Sequence, residues 1–382
     1  MPPEVVLEVP QGRFELRRFP RRDREQLRAW DAADDYLLHH LHDEPTEEGA
    51  ETWILNDGFG ALTVAMAARQ QVSMSSDSWL AHAGTQANLD DNDPGPTVRP
   101  PRLLTSLEDP PARAGVVLVK IPRSLALLED QLHRIRHNLQ PGGRIVGAGM
   151  VRAIHTSTLR LFEDILGSTS TTLARRKARL VMCQFDRDLN PGASPYPTTY
   201  QLDEQEWSLT NHAGVFCREH LDAGTRHLLA HVPEAIEARD IVDLGCGNGV
   251  VGLVAAHRNP DARLTFVDES YMAVDSARCN WQELFGGRDA AFLAGDCLES
   301  VDHRSADLIL CNPPFHQQSV MGDAVAWRMF SGARKVLRSG GAMLVVGNRH
   351  LAYHSKLRRI FGNCDVVDSD PRFVVLRSYV RQ

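Results

Sequence analysis

Apolar and polar positions follow two rhythms along the chain. Short solid apolar runs recur at Trp53-Ile54-Leu55, Val116 to Ile121, Arg144 to Ala148, Asp240 to Leu244, Leu264 to Val267, Ala291 to Ala294 and Asp307 to Cys311. Runs of this length predict strands buried on both faces. Between them, Leu62 to Arg69, Ser124 to Leu139 and Val250 to His257 carry apolar residues at helical spacing, after turns such as Asp57-Gly58-Phe59-Gly60. Strand and helix in alternation predict an α/β chain with parallel sheets. The N-terminus opens with an alternating segment, Val5 to Leu16, and a charged, helix-like stretch, Arg22 to His42. Leu89 to Pro101 reads as a polar loop, and Arg218 to Leu229 as a helix. Residues 186–210 hold Pro191, Pro195 and Pro197 with little periodicity, so they read as a linker between domains at 1–185 and 211–382.

The second half repeats the first in outline. Ile54 to Gly60 lies against Asp243 to Gly249, and Asp77-Ser78-Trp79 against Asp268-Glu269-Ser270. Val119 to Arg123 lies against Cys311 to Phe315, and Pro141-Gly142-Gly143 against Ser339-Gly340-Gly341. Order and spacing agree better than identity does, which predicts two copies of one fold. Ile54 stands where the second copy has Asp243, and Lys120-Ile121 where it has Asn312-Pro313. The first copy keeps the skeleton and lacks the polar groups.

Composition narrows the class. At 382 residues the chain is long for one core. Its net charge of −7 means that any nucleic-acid binding rests on local basic patches: Arg17, Arg18, Arg21, Arg22 and Arg24; Arg175, Arg176, Lys177 and Arg179; Lys356, Arg358 and Arg359. The seven cysteines form no C-x-x-C pair, which reads as reduced thiols in a cytoplasmic protein rather than a disulfide framework or a metal site. No apolar run is long enough for a membrane span or a signal peptide. Oligomeric state leaves no trace in the sequence.

The chemistry concentrates at predicted strand ends. Gly245, Gly247 and Gly249 follow the strand ending in Asp243-Leu244. Such spacing lets the backbone turn sharply and approach a ligand at a helix N-terminus. A carboxylate at Asp243 would repel a pyrophosphate but suits an ammonium. Asp268, ending the next strand, can accept both hydroxyls of a ribose, and Asp296, ending a third, an adenine amine. Each of these two acids could equally be a helix N-cap. On the fourth strand end stand Asn312-Pro313-Pro314-Phe315-His316. Two prolines end a strand and hold the chain stiff. Asn312 and the Pro313 carbonyl then suit the two hydrogens of a planar amine, with Phe315 to stack on its ring.

Together, Asp243 to Gly249, Val267 to Ser270, Gly295 to Leu298 and Asn312 to His316 resemble the class I S-adenosylmethionine-dependent methyltransferases, in the form that acts on exocyclic nitrogens. With the degenerate first copy, the chain is similar to the bacterial ribosomal RNA guanine-N2 methyltransferases. The string continuing to Gln317-Gln318 is most similar to their large-subunit (23S) branch, with the small-subunit (16S) branch as its sister. The resemblance implies two tandem Rossmann-like domains, the first for RNA binding, and a seven-stranded catalytic sheet closed by a hairpin from Cys364 to Asp368 and Phe373 to Val380. It implies S-adenosylmethionine as cofactor, ribosomal RNA as partner, and Phe216, in Gly214-Val215-Phe216, as a residue bordering the cofactor. Asn312, Pro313 and Phe315 would then activate a guanine amine by position and hydrogen bonding. The competing readings are a 16S enzyme, an adenine-N6 or glutamine-N5 methyltransferase, a dehydrogenase, and a non-enzymatic RNA-binding protein on the same fold.

Overall fold

The computed structural model describes residues 4–23, 25–45, 49–92, 99–234, 238–314 and 320–381, the side chains of Val320 and Met321 excepted. The chain divides into two compact units, Met1–Tyr196 and Pro197–Gln382.

The first unit opens with a hairpin, β1 (Val6–Val9) and β2 (Gly12–Glu15), and α1 (Ala32–Asp43). There follow β3 (Thr52–Leu55), α2 (Ala61–Ala67), β4 (Val72–Ser76), α3 (Trp79–Asp91), β5 (Arg102–Thr105), β6 (Ala114–Lys120), α4 (Leu125–Asn138), β7 (Leu139–Met150), α5 (Thr156–Ile165), β8 (Thr169–Thr171) and β9 (Ala178–Cys183). The second unit opens with the hairpin β10 (Thr198–Leu202) and β11 (Trp207–Asn211), then α6 (Ala223–Leu229), β12 (Asp240–Leu244), α7 (Val250–Arg258), β13 (Arg263–Asp268), α8 (Tyr271–Phe285) and β14 (Ala290–Ala294). It ends with β15 (Ala306–Cys311), α9 (Val320–Val336), β16 (Leu337–Asn348), α10 (Tyr353–Phe361), β17 (Asp365–Ser369) and β18 (Phe373–Tyr379).

Each unit is built on one seven-stranded sheet. The orders are β5-β4-β3-β6-β7-β9-β8 and β14-β13-β12-β15-β16-β18-β17, which correspond strand for strand. In each, the strand inserted next to the edge runs antiparallel, on β7 and on β16. Even the irregularities match: pairing breaks between Ala114 and Val116, and between Ala306 and Leu308. The expected α/β class and tandem Rossmann-like layout therefore hold, with the helices burying an apolar cluster on each face of each sheet. The central strands are buried on both faces, as solid apolar runs dictate.

Several local expectations change. The charged stretch 22–42 becomes helical only at Ala32, where Asp31 caps the first turn. The helix read over Arg218 to Leu229 begins at Ala223, capped by Asp222. The stretch 186–210 is not all linker: the units meet at Tyr196, and β10 pairs with β11 inside the second one. Periodicity is a weak guide to a five-residue strand whose partner is a neighbour. Leu89 to Asp91 belongs to α3, and residues 93–98 of that expected loop lie outside the described residues.

Gly60 and Gly249 occupy equivalent turns, with φ of 80° and 85°. A Cβ on Gly60 would come within 3.0 Å of the Thr85 Cα, and one on Gly249 within 3.1 Å of the Ala277 Cα. Backbone on the facing helix cannot yield. Left-handed φ and overpacking each cost about 1 kcal/mol or more. We expect Gly60→Ala and Gly249→Ala to lose roughly 2 kcal/mol or more apiece in urea unfolding. Wild-type midpoints would contradict this packing.

Candidate active site

The parallel pairing of β12 with β15 sets Leu244 beside Cys311, so the turn after one strand and the proline corner after the other are neighbours. A Cβ built on Gly245 would lie 3.9 Å from the Asn312 carbonyl oxygen. Asn312 is half-buried, Pro313 buried and Pro314 exposed. Phe315, His316, Gln317 and Gln318 lie outside the described residues.

The Asn312 amide is held from one side. Its Nδ2 donates to Thr225 Oγ1 at 2.7 Å and to Asp222 Oδ2 at 3.2 Å. The Thr225 hydroxyl and backbone amide both donate to that same Asp222 oxygen, at 3.2 and 2.8 Å. A carboxylate has no hydrogen to give, so it fixes which end of the amide faces it. The other end, Oδ1, is buried without a hydrogen-bond partner. An orphaned buried acceptor carries a desolvation cost of about 1–3 kcal/mol and marks a place for an incoming donor. Sequence reading missed Asp222 and Thr225; the Asp-x-x-Thr spacing of a helix N-terminus was the available signal.

The glycine turn has the features of a cradle. Gly245, Gly247 and Gly249 all have left-handed φ, and the space off Gly247 is open. Asp268 ends β13 and accepts the Gly247 amide at 2.9 Å on one oxygen and the Ser270 amide at 3.0 Å on the other, with the Glu269 amide as a further donor. It is Ser270, not Asp268, that caps α8. Asp243 is 2% exposed, and its carboxylate accepts the Gly252 amide at 2.8 Å, so it braces the first turn of α7 from beneath. Burial pushes its pKa up to about 8, against that amide. Asp296 is buried and paired with Arg328. Phe216 is 55% exposed, on a segment fixed to α8 by Gly214 N–H to Met272 Sδ and His212 N–H to Ser276 Oγ. A buried amide network that the sequence did not disclose ties β10–β11 to the turn. Asn248 Nδ2 donates to Tyr200 Oη and Asn211 Oδ1, and Asn280 Nδ2 to the Asn248 and Thr210 carbonyls.

The first unit has the same frame with other chemistry. Lys120, the counterpart of Asn312, donates to Asp31 at 2.9 Å and Asp34 at 2.6 Å, at the start of α1. Burial would lower the Lys120 pKa, but the two carboxylates outweigh it and hold it above its usual value. Burial raises Asp34 to about 6.

Comparison with known proteins gives the family. Residues 4–187 match the model of the RLMG N-terminal domain, and 206–377 that of the methyltransferase small domain. The ribosomal RNA large subunit methyltransferase G of Streptomyces avermitilis is 50% identical over 97% of this chain and 98% of its own. That of Stutzerimonas stutzeri is 48% identical over 98% and 99%. The chain belongs to the ribosomal RNA large subunit methyltransferase G family. As a member it is an enzyme, a methyltransferase, and the expected cofactor, S-adenosylmethionine, stands with the fold. Among solved structures, the T. thermophilus 16S rRNA N2 guanine methyltransferase RsmC, in complex with AdoMet and guanosine, superposes with a TM-score of 0.77. It is 22% identical and covers 98% of this chain and 97% of its own, a likeness of fold. Among the described residues no helix is long and apolar enough to cross a membrane.

The raised Asp243 pKa sets a pH dependence for this family member. From the unfolded carboxyl value near 3.9 up to about 8, the folded chain keeps a proton that the unfolded chain has lost. This stabilising contribution is complete below that window and lost above it, at about 1.4 kcal/mol per pH unit within it. We expect Asp243→Asn to flatten the fall of stability between pH 5 and 8, read as urea midpoints. Parallel profiles for variant and wild type would rule the shift out.

Proposed function

We propose that the chain methylates the exocyclic N2 amine of a specific guanine in 23S ribosomal RNA, in the cytoplasm, with S-adenosylmethionine as donor. The observation that carries this reading is the buried, unpartnered Asn312 Oδ1 beside the glycine turn. The names of the large-subunit relatives support 23S RNA, and the T. thermophilus neighbour's printed activity supports the guanine amine.

A guanine amine is a poor nucleophile because its lone pair is delocalised into the ring. Asn312 Oδ1 and the Pro313 carbonyl accept its two hydrogens, which draws the nitrogen toward tetrahedral geometry and returns the lone pair. Asp222 and Thr225 hold the amide so that the oxygen, not the NH2, meets the amine. Phe315 stacks on a base that is flipped or already single-stranded. When bound, S-adenosylmethionine supplies a methyl group on a sulfonium, an electrophile that needs no acid. The backbone at Gly245, Gly247 and Gly249, the Asp268 carboxylate, Asp296 and the edge at Phe216 would hold it, with Asp243 as the brace beneath. The proton leaves after methyl transfer, when the nitrogen is acidic, so no shifted base is required. Residues 1–185 serve RNA binding and take no cofactor, because Lys120 occupies the place of the amide and Ile54 that of Asp243.

Four measurements test this reading. Nucleoside analysis after methyl transfer should find N2-methylguanosine in 23S and not in 16S RNA; the reverse distribution would sink it. Asn312→Ala should lower kcat by about 100-fold or more, the scale of losing a transition-state hydrogen bond, with cofactor affinity within about threefold. Asp222→Asn, which gives the amide's neighbour hydrogens of its own, should cost about tenfold in kcat by the same reasoning. Calorimetry on the full chain should return one S-adenosylmethionine per chain, and two would contradict the silent first unit.

A further inference from the structure

We infer that a second face of the C-terminal unit, at the amino-terminal edge of its sheet, binds the sugar-phosphate backbone of an RNA strand. The inference rests on the ribosomal RNA reading and says where else the RNA is held. A cleft of about 860 Å³ lies between the C-terminal halves of α9 and α10 and the strand ends beneath them. Four separate segments bring their cations to it: Arg304 before β15, Arg334 and Lys335 on α9, Arg359 on α10, and Arg381 after β18. All five are exposed, and among the described residues none has an ion-pair partner and no acid lines the cleft. Trp327 stands in the same wall, 37% exposed, with the Arg359 guanidinium 5.3 Å over its ring.

The contiguous basic clusters are partly compensated by acids, whereas this cleft, among the described residues, brings five cations together with none. Arg17 is paired with Glu15, Arg21 with Asp91 and Arg176 with Asp35. On α10 itself, Lys356 is paired with Asp323 at 3.1 Å. A chain of net charge −7 that gathers five unpaired cations from distant segments holds them against their mutual repulsion. A polyanion relieves that repulsion and releases its counterions. The exposed indole makes single-stranded RNA a better fit than a bare anion, since a base stacks on an aromatic face and an Arg plane can extend the stack. The cleft opens at the opposite end of the sheet from Asn312, because Arg304 precedes β15 and Asn312 follows it. A strand that reaches both runs the length of α9, roughly 25 Å for its residues.

The test is direct binding of protein-free 23S ribosomal RNA to the full chain in a filter assay across salt concentrations. Charge reversal in the double variant Arg334→Glu/Lys335→Glu should raise Kd about tenfold or more at moderate salt, and should reduce the salt slope by about 1.4 to 1.8 for two lost phosphate contacts. Trp327→Ala should raise Kd about fivefold or more with little change of slope. Lys356→Ala, already neutralised by Asp323, should bind like wild type. S-adenosylmethionine affinity and kcat at saturating RNA should stay unchanged in all three, which separates this face from the active site and reports correct folding. Wild-type RNA affinity in the double variant overturns the proposal. So does binding of the cleft to phosphatidylserine vesicles with RNA affinity unmoved. Because the readout is binding, a chain that binds RNA but makes no N2-methylguanosine counts against the guanine reading and not against this one.

Discussion

The structure turns on one short hydrogen-bonded link between the end of a central strand and the start of the helix that precedes the sheet. In the second unit Asn312 reaches back to Asp222 and Thr225. In the first, Lys120 reaches back to Asp31 and Asp34. The frame is the same, and the chemical difference between the halves is the group that closes it. A carboxamide gives its hydrogens to the helix and keeps an acceptor. An ammonium has only hydrogens, so nothing remains to receive one from an amine. The lysine buries charge against two acids, and a buried ion pair of this kind is costly to break once formed. The first unit thus keeps the frame and closes it with an ion pair in place of an amide.

Around that link, acids do different work at equivalent strand ends. Asp268 accepts the Gly247 amide of the turn, Asp243 lies beneath α7, and Asp296 pairs with Arg328. Type and position in sequence are alike for all three. What differs is the partner each carboxylate meets in the fold: turn and helix amides for Asp268, a helix amide for Asp243 and a guanidinium for Asp296.

Much of this was legible beforehand. Solid apolar runs located the central strands, and the spacing of Gly245, Gly247 and Gly249 located a turn whose φ values are left-handed. The repeat was visible because turn residues such as Gly60 and Gly249 are forced by backbone geometry and survive when identities drift. The rest resisted for physical reasons. Asp222 and Thr225 act across about ninety residues of chain, and no local pattern encodes such a partner. The β10–β11 hairpin hid in a proline-bearing stretch because its polar groups are satisfied from afar, the Tyr200 and Asn211 side chains by Asn248 and the Thr210 backbone by Asn280. The depth of Asp243 is a property of the packed helix above it. Charge runs told only part of the story: Arg17, Arg18, Arg21 and Arg176 of the contiguous clusters are ion-paired, whereas the cations of the cleft come from separate segments and meet only in the fold.

The amide network joining that hairpin to the glycine turn bears on how the enzyme can be cut. A fragment begun at residue 211, after the expected linker, would strip Tyr200 from Asn248 and leave buried polar atoms facing solvent or void. Pro197 is therefore the natural scissor point for an autonomous second half. In any shuffled or circularly rearranged version, those fifteen or so residues travel with the module they brace.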